Sequence, residues 1–342
     1  MVTMSVDRHS PPLAIVSPAG RLNGDRHSLS QRLGLNVPRD WWPTAPMLKG
    51  LEAAGFAWVQ VHAPTREVLA DRSRAAAHAN ALRRALEPSG LRLVLHAPDE
   101  LSAGEPLQDR ALDGLIDYAS ATGAELVVYH GANVPAADGG TGAGRVRDRL
   151  AREADALAAR ARKLDARGIT VCVENLAPVW PGLPARVCHA PAAIAAMVDT
   201  LASPAFAMTF DAGHANITAE LDGAGDVAAL LADAGDRVGL VHLHDNLGGR
   251  RQSRSRAGVD PLRLDLHLAP GAGTLAWETL GPALRDHHAP LLLEIHPPHR
   301  PDPIALATVT EELLGGPARH VRPSAIVTAL PGRTAAAPIP PG

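Results

Sequence analysis

The chain has 342 residues, of which 46% are hydrophobic and 20% charged, and its formal net charge is -3. That apolar share excludes a wholly disordered chain. The near-neutral balance supplies no global positive field, so holding a nucleic acid would need a local basic patch. Two cysteines, Cys172 and Cys188, exclude a disulfide scaffold and a paired-cysteine zinc module, and point to reduced thiols in a cytoplasmic protein.

No apolar run reaches the roughly 18 residues of a membrane span, and the polar stretch 1–12 lacks the apolar middle of a secretion signal. The length allows either one large α/β barrel of about 250 residues with tails or two ordinary domains. Sixteen histidines are the first sign of chemistry.

Short apolar runs alternate with helical patterns along the chain. The runs are LAIVSPAG (13–20), FAWVQVHAP (56–64), LRLVLHAP (91–98), AELVVYHGA (124–132), ITVCVENLAP (169–178), FAMTFDAGH (206–214), VGLVHLHDN (238–246) and PLLLEIHP (290–297). Each has the size and composition of a buried parallel strand. Between them, Asp71–Leu86, Gly144–Arg167, Ala190–Leu201, Asp226–Ala234, Trp277–His287 and Pro303–Leu314 carry helical spacing. Eight repeats favour a (β/α)8 TIM barrel over a doubly wound sheet. We expect a single barrel domain over 13–315, with flexible tails at 1–12 and 316–342. The second tail is rich in proline and alanine.

What ends these strands is informative. His96, His130, Glu174, Asp211, His242 and Glu294 follow the third to eighth runs. In a barrel those ends meet at one mouth, and a charge beside an apolar core is costly unless paired or coordinated. His214 follows Asp211 at i+3, and Asp265 and His267 sit in the loop after the seventh run.

Glu174, Asp211, His242 and Glu294 would form an oxygen-rich site suited to Mn²⁺ or Mg²⁺. His96, His130, His214 and His267 add nitrogen better matched to Zn²⁺ or Fe²⁺, and Co²⁺ also fits such mixed donors. His244 and Asp245 are candidates to orient ligands or touch substrate. Arg250 and Arg251, in GGRRQSRSR (248–256), are candidates for an anionic substrate group, although a solvated basic loop explains them as well. His62, His189, His287, His288 and His299 read as packing or solvated residues. Gly271 and Gly273 read as turn residues.

These residues resemble a known superfamily, the xylose isomerase-like barrels, which include sugar isomerases, epimerases and apurinic endonucleases of the endonuclease IV type. The resemblance covers 13–315 and rests on LHAP (95–98), VYHG (128–131), VENLA (173–177), FDAGHAN (210–216), HLHDN (242–246), DLHLAPGAG (265–273) and LLLEIH (291–296). It implies a divalent cation, Mn²⁺ or Zn²⁺ foremost, held by Glu174, Asp211, His242 and Glu294. It further implies that Glu174 and Glu294 exchange a proton with a polyhydroxy keto substrate while His214 binds a substrate oxygen. Removing a proton next to a carbonyl needs a base near the carbon and a Lewis acid on the oxygens, which together stabilise an enediolate.

The endonuclease branch implies instead three ions, with His96, His130, His214, Asp265 and His267 as added ligands, and phosphodiester hydrolysis. His96 and His130 then serve as ligands rather than substrate contacts. Two features of the sequence weigh against that branch. APDEL (97–101) places Asp99 and Glu100 where a DNA-penetrating wedge is expected, and the chain is slightly acidic. Against a close match to ketohexose 3-epimerases, Gly248 stands where they carry an arginine. A homodimer is compatible with such barrels. A non-enzymatic scaffold would predict missing ligands, and none is missing.

Overall fold

The computed structural model describes residues 28–134, 143–177, 185–186, 190–249 and 263–315. The expected strand 13–20, both tails, Cys188, Arg250 and Arg251 lie outside the described residues.

Eight parallel strands close into a barrel: β1 (Leu33–Asn36), β2 (Trp58–His62), β3 (Arg92–His96), β4 (Leu126–Tyr129), β6 (Thr170–Glu174), β8 (Phe206–Asp211), β9 (Val238–Leu243) and β10 (Leu291–Leu293). Each pairs with its neighbour in the ring, and β1 closes it against β10. A two-residue pair, β5 (Asn133–Val134) and β7 (Ala185–Arg186), lies outside the barrel and is antiparallel. Among the described residues no helix is long and apolar enough to cross a membrane.

The first barrel strand corrects the sequence expectation: it is LGLN at 33–36, not the run at 13–20. LGLN is short and broken by Gly34, so it makes a weak apolar signal. The glycine has a packing reason. A Cβ there would sit 2.7 Å from Trp58 Cβ and 2.8 Å from a Leu292 methyl, because the Trp58 indole fills the barrel floor.

The helices begin where the sequence supplies caps. Asp71 accepts from Ser73 N and Arg74 N ahead of Arg72–Leu86, and Asp226 accepts from Ala228 N ahead of Val227–Ala234. The single helix expected over 144–167 is two, Ala143–Ala158 and Ala161–Asp165, with Arg160 between them bonded to Asp113. A helix the sequence reading does not predict, Pro106–Thr122, contains Gly114 where it meets the Leu69 carbonyl.

Two apolar layers result. Val59, Val61, Leu93, Leu95, Val127, Val171, Val173, Met208, Phe210, Val241, Leu291 and Leu293 face the helices within the main core. The alternate residues Trp58, Val94, Leu126, Val128, Cys172, Ala207, Leu240 and Leu292 fill the barrel interior as a separate cluster. Burial there pushes the Cys172 thiol up to about 12, so it is a neutral packing group.

Candidate metal centre

Strand alternation carries the interior layer directly into polar residues. Two positions beyond Val94, Val128, Cys172, Leu240 and Leu292 on the same inward face stand His96, His130, Glu174, His242 and Glu294. Asp211 stands four beyond Ala207. His96, Glu174, Asp211, His242 and Glu294 are buried at the C-terminal end of the barrel, and His130 is largely so. A pleat of period 2 thus stacks a ring of acids and imidazoles on an apolar plug.

Their donor atoms fall into three groups, each spanning no more than 4.8 Å: Glu174, Asp211, His242 and Glu294; His96, His130 and Glu174; and His214, His244, Asp265 and His267. Glu174 belongs to the first two. In the first group His242 Nδ1 lies 3.3 Å from Glu174 Oε1, 3.5 Å from Glu294 Oε2 and 3.7 Å from Asp211 Oδ2. An ion with bonds of about 2.1 Å spaces its ligands by roughly 3.0–3.4 Å, so these separations are close to those of a coordination shell. In the second, His130 Nε2 and His96 Nε2 lie 3.2 and 4.0 Å from Glu174 Oε2. In the third, Asp265 faces His214 Nε2 at 3.3 Å, His267 Nε2 at 3.1 Å and His244 Nε2 at 3.8 Å.

Three imidazoles have their outer nitrogen fixed by a backbone carbonyl. His96 Nδ1 donates to Ala97 O at 2.7 Å, His214 Nδ1 to Asn175 O at 2.9 Å and His267 Nδ1 to Glu294 O at 2.8 Å. A carbonyl only accepts, so each Nδ1 carries the hydrogen and each Nε2 is turned inward as the ligating atom. His267 holds this pose with a left-handed φ of 49°, a conformation that costs a non-glycine residue about 1–2 kcal/mol.

Facing acceptors need positive charge between them. Glu174 Oε2, Asp211 Oδ2, Asp265 Oδ1 and His244 Nδ1 are buried with no hydrogen-bond partner in line, an arrangement that costs free energy unless a cation or protons supply the charge. Without a cation, protons do so. Burial disfavours the charged form of His214, but Asp211 and Asp265 outweigh it and lift the imidazole to about 9. His242 is raised well above its usual value, against burial, by Glu294 and Glu174. His244 and His267 are raised in the same way, mainly by Asp211 and Asp265 respectively. Burial pushes Glu174, Asp211 and Asp265 upward, yet neighbouring imidazoles hold all three below the ordinary carboxylate range. His96 is the exception: burial, then His130, depress it to about 3, so it is neutral. The residues therefore fit a divalent cation that displaces protons.

His244 joins the third group, where the sequence reading assigns it an orienting role or a substrate contact. Its place depends on Gly213, whose Cβ would fall 2.2–2.6 Å from the His244 ring. Asp245 does different work. Its carboxylate accepts from Asn246 N, Gly271 N, Leu275 N and Trp277 Nε1 at 3.0–3.2 Å, which pins the loop carrying Asp265 and His267.

Several residues beside the site are not predicted from sequence. Gln60 bonds both Glu294 and His242. His62 lies tilted against His96 with ring centroids 4.6 Å apart, and His296 stacks on His267 at 4.4 Å. Both lie at inward parity beyond Gln60 and Glu294, a signal the sequence contains. Asp99 and Glu100 do not stand as bare repelling charges. Asp99 pairs with Arg39 at 2.6 Å, and Glu100 lies 3.4 Å from Arg66.

Comparison with known proteins agrees with this architecture. A family model described as xylose isomerase-like TIM barrel matches residues 48–312. No curated protein matches the sequence significantly. Similar solved structures include a D-tagatose 3-epimerase-like protein (19% identity, TM-score 0.62, covering 83% of this chain and 97% of that one). A D-psicose 3-epimerase crystallised in the presence of D-fructose is also similar (14%, 0.62, 83% and 100%). So is a 3-keto-D-glucoside 4-epimerase from E. coli (16%, 0.58, 83% and 98%). At these identities the likeness is one of fold.

Proposed function

This chain belongs to the xylose isomerase-like TIM-barrel family, and from that membership and the site we propose a divalent-metal-dependent isomerase or epimerase of a small polyhydroxy keto substrate such as a sugar. The observation that carries the reading is the four-residue group. Two glutamates, Glu174 at the end of β6 and Glu294 just after β10, meet Asp211 and His242 around one point, with Asp211 Oδ2 buried and without a hydrogen bond. Of the three similar solved structures described above, two are named as epimerases of D-psicose and of a 3-keto-D-glucoside, and one as D-tagatose 3-epimerase-like.

Glu174, Asp211, His242 and Glu294 would hold the cation. When bound, it supplies a Lewis acid that polarises the substrate carbonyl and the adjacent hydroxyl. The chain's own residues do the rest. Glu174, kept below the usual carboxylate range by His242 and His130 despite its burial, is ionised at neutral pH and ready to accept a proton. In the forward step one glutamate takes the proton from the carbon beside the carbonyl. In the return step the other glutamate, having taken up a proton from solvent, gives it to a carbon. His214, whose Nδ1 is spent on the Asn175 carbonyl, would turn Nε2 toward a substrate oxygen.

Incubation with a panel of ketoses in D₂O tests this. The intact protein should place deuterium on the carbon next to the carbonyl, and Glu174→Gln and Glu294→Gln should each slow that by about 10²–10⁴. A panel in which no ketose or keto acid exchanges above the no-enzyme rate sinks the reading.

One observation favours a second reading, multinuclear phosphodiester hydrolysis. The groups His96–His130–Glu174 and His214–His244–Asp265–His267 adjoin the first, and Asp99 and Glu100 are neutralised by Arg39 and Arg66. Three ions per chain, with cleavage of an abasic-site DNA and no deuterium exchange, would select it.

A further inference from the structure

Gln60 lies on β2 with no exposed surface, two positions beyond Trp58 on the inward face. It is an uncharged amide set among the acids and imidazoles of the barrel mouth. Its side-chain bonds go to two members of the four-residue group: Nε2 donates to Glu294 Oε1 at 2.7 Å, and Oε1 meets His242 Nε2 at 2.8 Å.

The chemistry of the three groups fixes the direction of both bonds. A carboxylate only accepts, so the amide NH₂ must face Glu294. The amide oxygen then faces His242, and because it too only accepts, His242 Nε2 must carry a hydrogen. The nitrogen left to ligate is Nδ1, which is the one surrounded by Glu174 Oε1, Glu294 Oε2 and Asp211 Oδ2. The same amide ties down Glu294 Oε1 and leaves Oε2 turned toward Nδ1. His242 is thereby set apart from His96, His214 and His267, whose Nδ1 atoms are spent on backbone carbonyls.

We infer that Gln60 is a positioning residue that fixes the ligating edge of His242 and the free oxygen of Glu294 with a single amide. The inference rests on the reading of Glu174, Asp211, His242 and Glu294 as the seat of a divalent cation. Only an amide can do both tasks. A carboxylate at this place would oppose Glu294, a methionine offers neither bond, and an asparagine is one methylene too short to span both partners.

The test uses the full chain, Zn²⁺ as the probe, and the variants Gln60→Met and Gln60→Asn. Affinity is read by competition with a chromophoric chelator. Histidine ¹⁵N spectra of the Zn²⁺-loaded protein report which His242 nitrogen is ligated. In the intact protein His242 should bind through Nδ1 and keep its Nε2 hydrogen. Both variants should lose about 10–100-fold in Zn²⁺ affinity, in addition to whatever stability the metal-free protein loses with the two buried bonds. A purely structural role would lower the metal-free melting temperature and leave affinity alone.

Ligation through Nε2, or affinity within twofold in both variants, overturns the inference. If Gln60→Met fails to fold, the asparagine variant and the spectrum of the intact protein decide alone. Tight Zn²⁺ binding that is indifferent to Gln60 removes this inference and leaves the proposed function standing. An intact protein that binds no divalent cation removes both.

Discussion

Asp211 Oδ1 accepts the backbone N–H of His214 at 2.7 Å and so caps the helix Ala212–Asp222, while Asp211 Oδ2 is left buried beside His242 and His214. One carboxylate thus starts a helix with one oxygen and offers a ligand with the other. The two roles are separable. Asparagine caps as well as aspartate, so Asp211→Asn should keep the helix cap and lose in the metal-free protein only what the Asp211 charge supplies to His214 and His244. It should weaken divalent-cation binding beyond the 10–100-fold typical of changes outside the coordinating shell. Asp211→Ala should in addition lose about 1 kcal/mol of stability with the cap. Chelator competition and thermal unfolding measure the two effects apart.

Gly213 is the residue between that carboxylate and His214 with no room for a side chain, since its Cβ would meet the His244 ring at 2.2–2.6 Å. Gly213→Ala should therefore push His244 out of the group with His214, Asp265 and His267. The expected cost is about 1–3 kcal/mol from overpacking, with any ion in that group lost before the one at Glu174. Zn²⁺ titration of the variant would show weaker filling of that group than in the parent, with affinity at Glu174, Asp211, His242 and Glu294 retained. An unchanged titration and an unchanged melting temperature would mean that His244 is not held where it is described.

Cation affinity should depend on pH in a direction set by His214. In the metal-free protein this imidazole is lifted to about 9, where Asp211 and Asp265 overcome its burial. Below that pH it is protonated, and a ligating Nε2 must first lose the proton. Affinity at that group should rise about tenfold per pH unit between pH 6 and 9 for each proton displaced. His244 and His267, raised in the same direction, can steepen the slope. Calorimetric titrations in buffers of differing ionisation enthalpy would register the released protons. Affinity independent of pH over that range would contradict this account of the metal-free charges.

Asp245 accepts four hydrogen bonds from Asn246, Gly271, Leu275 and Trp277, and through them it anchors the loop that presents Asp265 and His267. Asp245→Ala leaves those donors without their acceptor and should cost at least about 3 kcal/mol. The loop is its point of action, so hydrogen exchange at Gly271 and Leu275 should quicken before exchange in the strands. Exchange at those amides matching the parent would sink this role.

Much of the site is legible in the sequence because the barrel repeats one rule. An apolar strand that ends in an acid or histidine at inward parity delivers that side chain to the mouth, as with Val94 to His96, Cys172 to Glu174 and Leu240 to His242. The rule needs a recognisable strand, which is why β1 escapes notice. LGLN is four residues with a glycine that exists to make room for Trp58. It also needs a charged marker. Gln60 has none, and its importance emerges only when β2 and β10 bring it between His242 and Glu294. Asp245 carries the opposite lesson. A carboxylate next to His244 reads as part of the chemistry, whereas its partners are the Gly271 and Leu275 amides and the Trp277 indole, 26 to 32 residues away. Spacing alone does not reveal such long-range pairing.

Crystals soaked in Mn²⁺ and measured at the manganese absorption edge test the central claim most directly. The account requires an anomalous peak within about 2.0–2.4 Å of Glu174, Asp211 Oδ2, His242 Nδ1 and Glu294 Oε2. Manganese bound only elsewhere, with those four side chains left joined by protons, would contradict it.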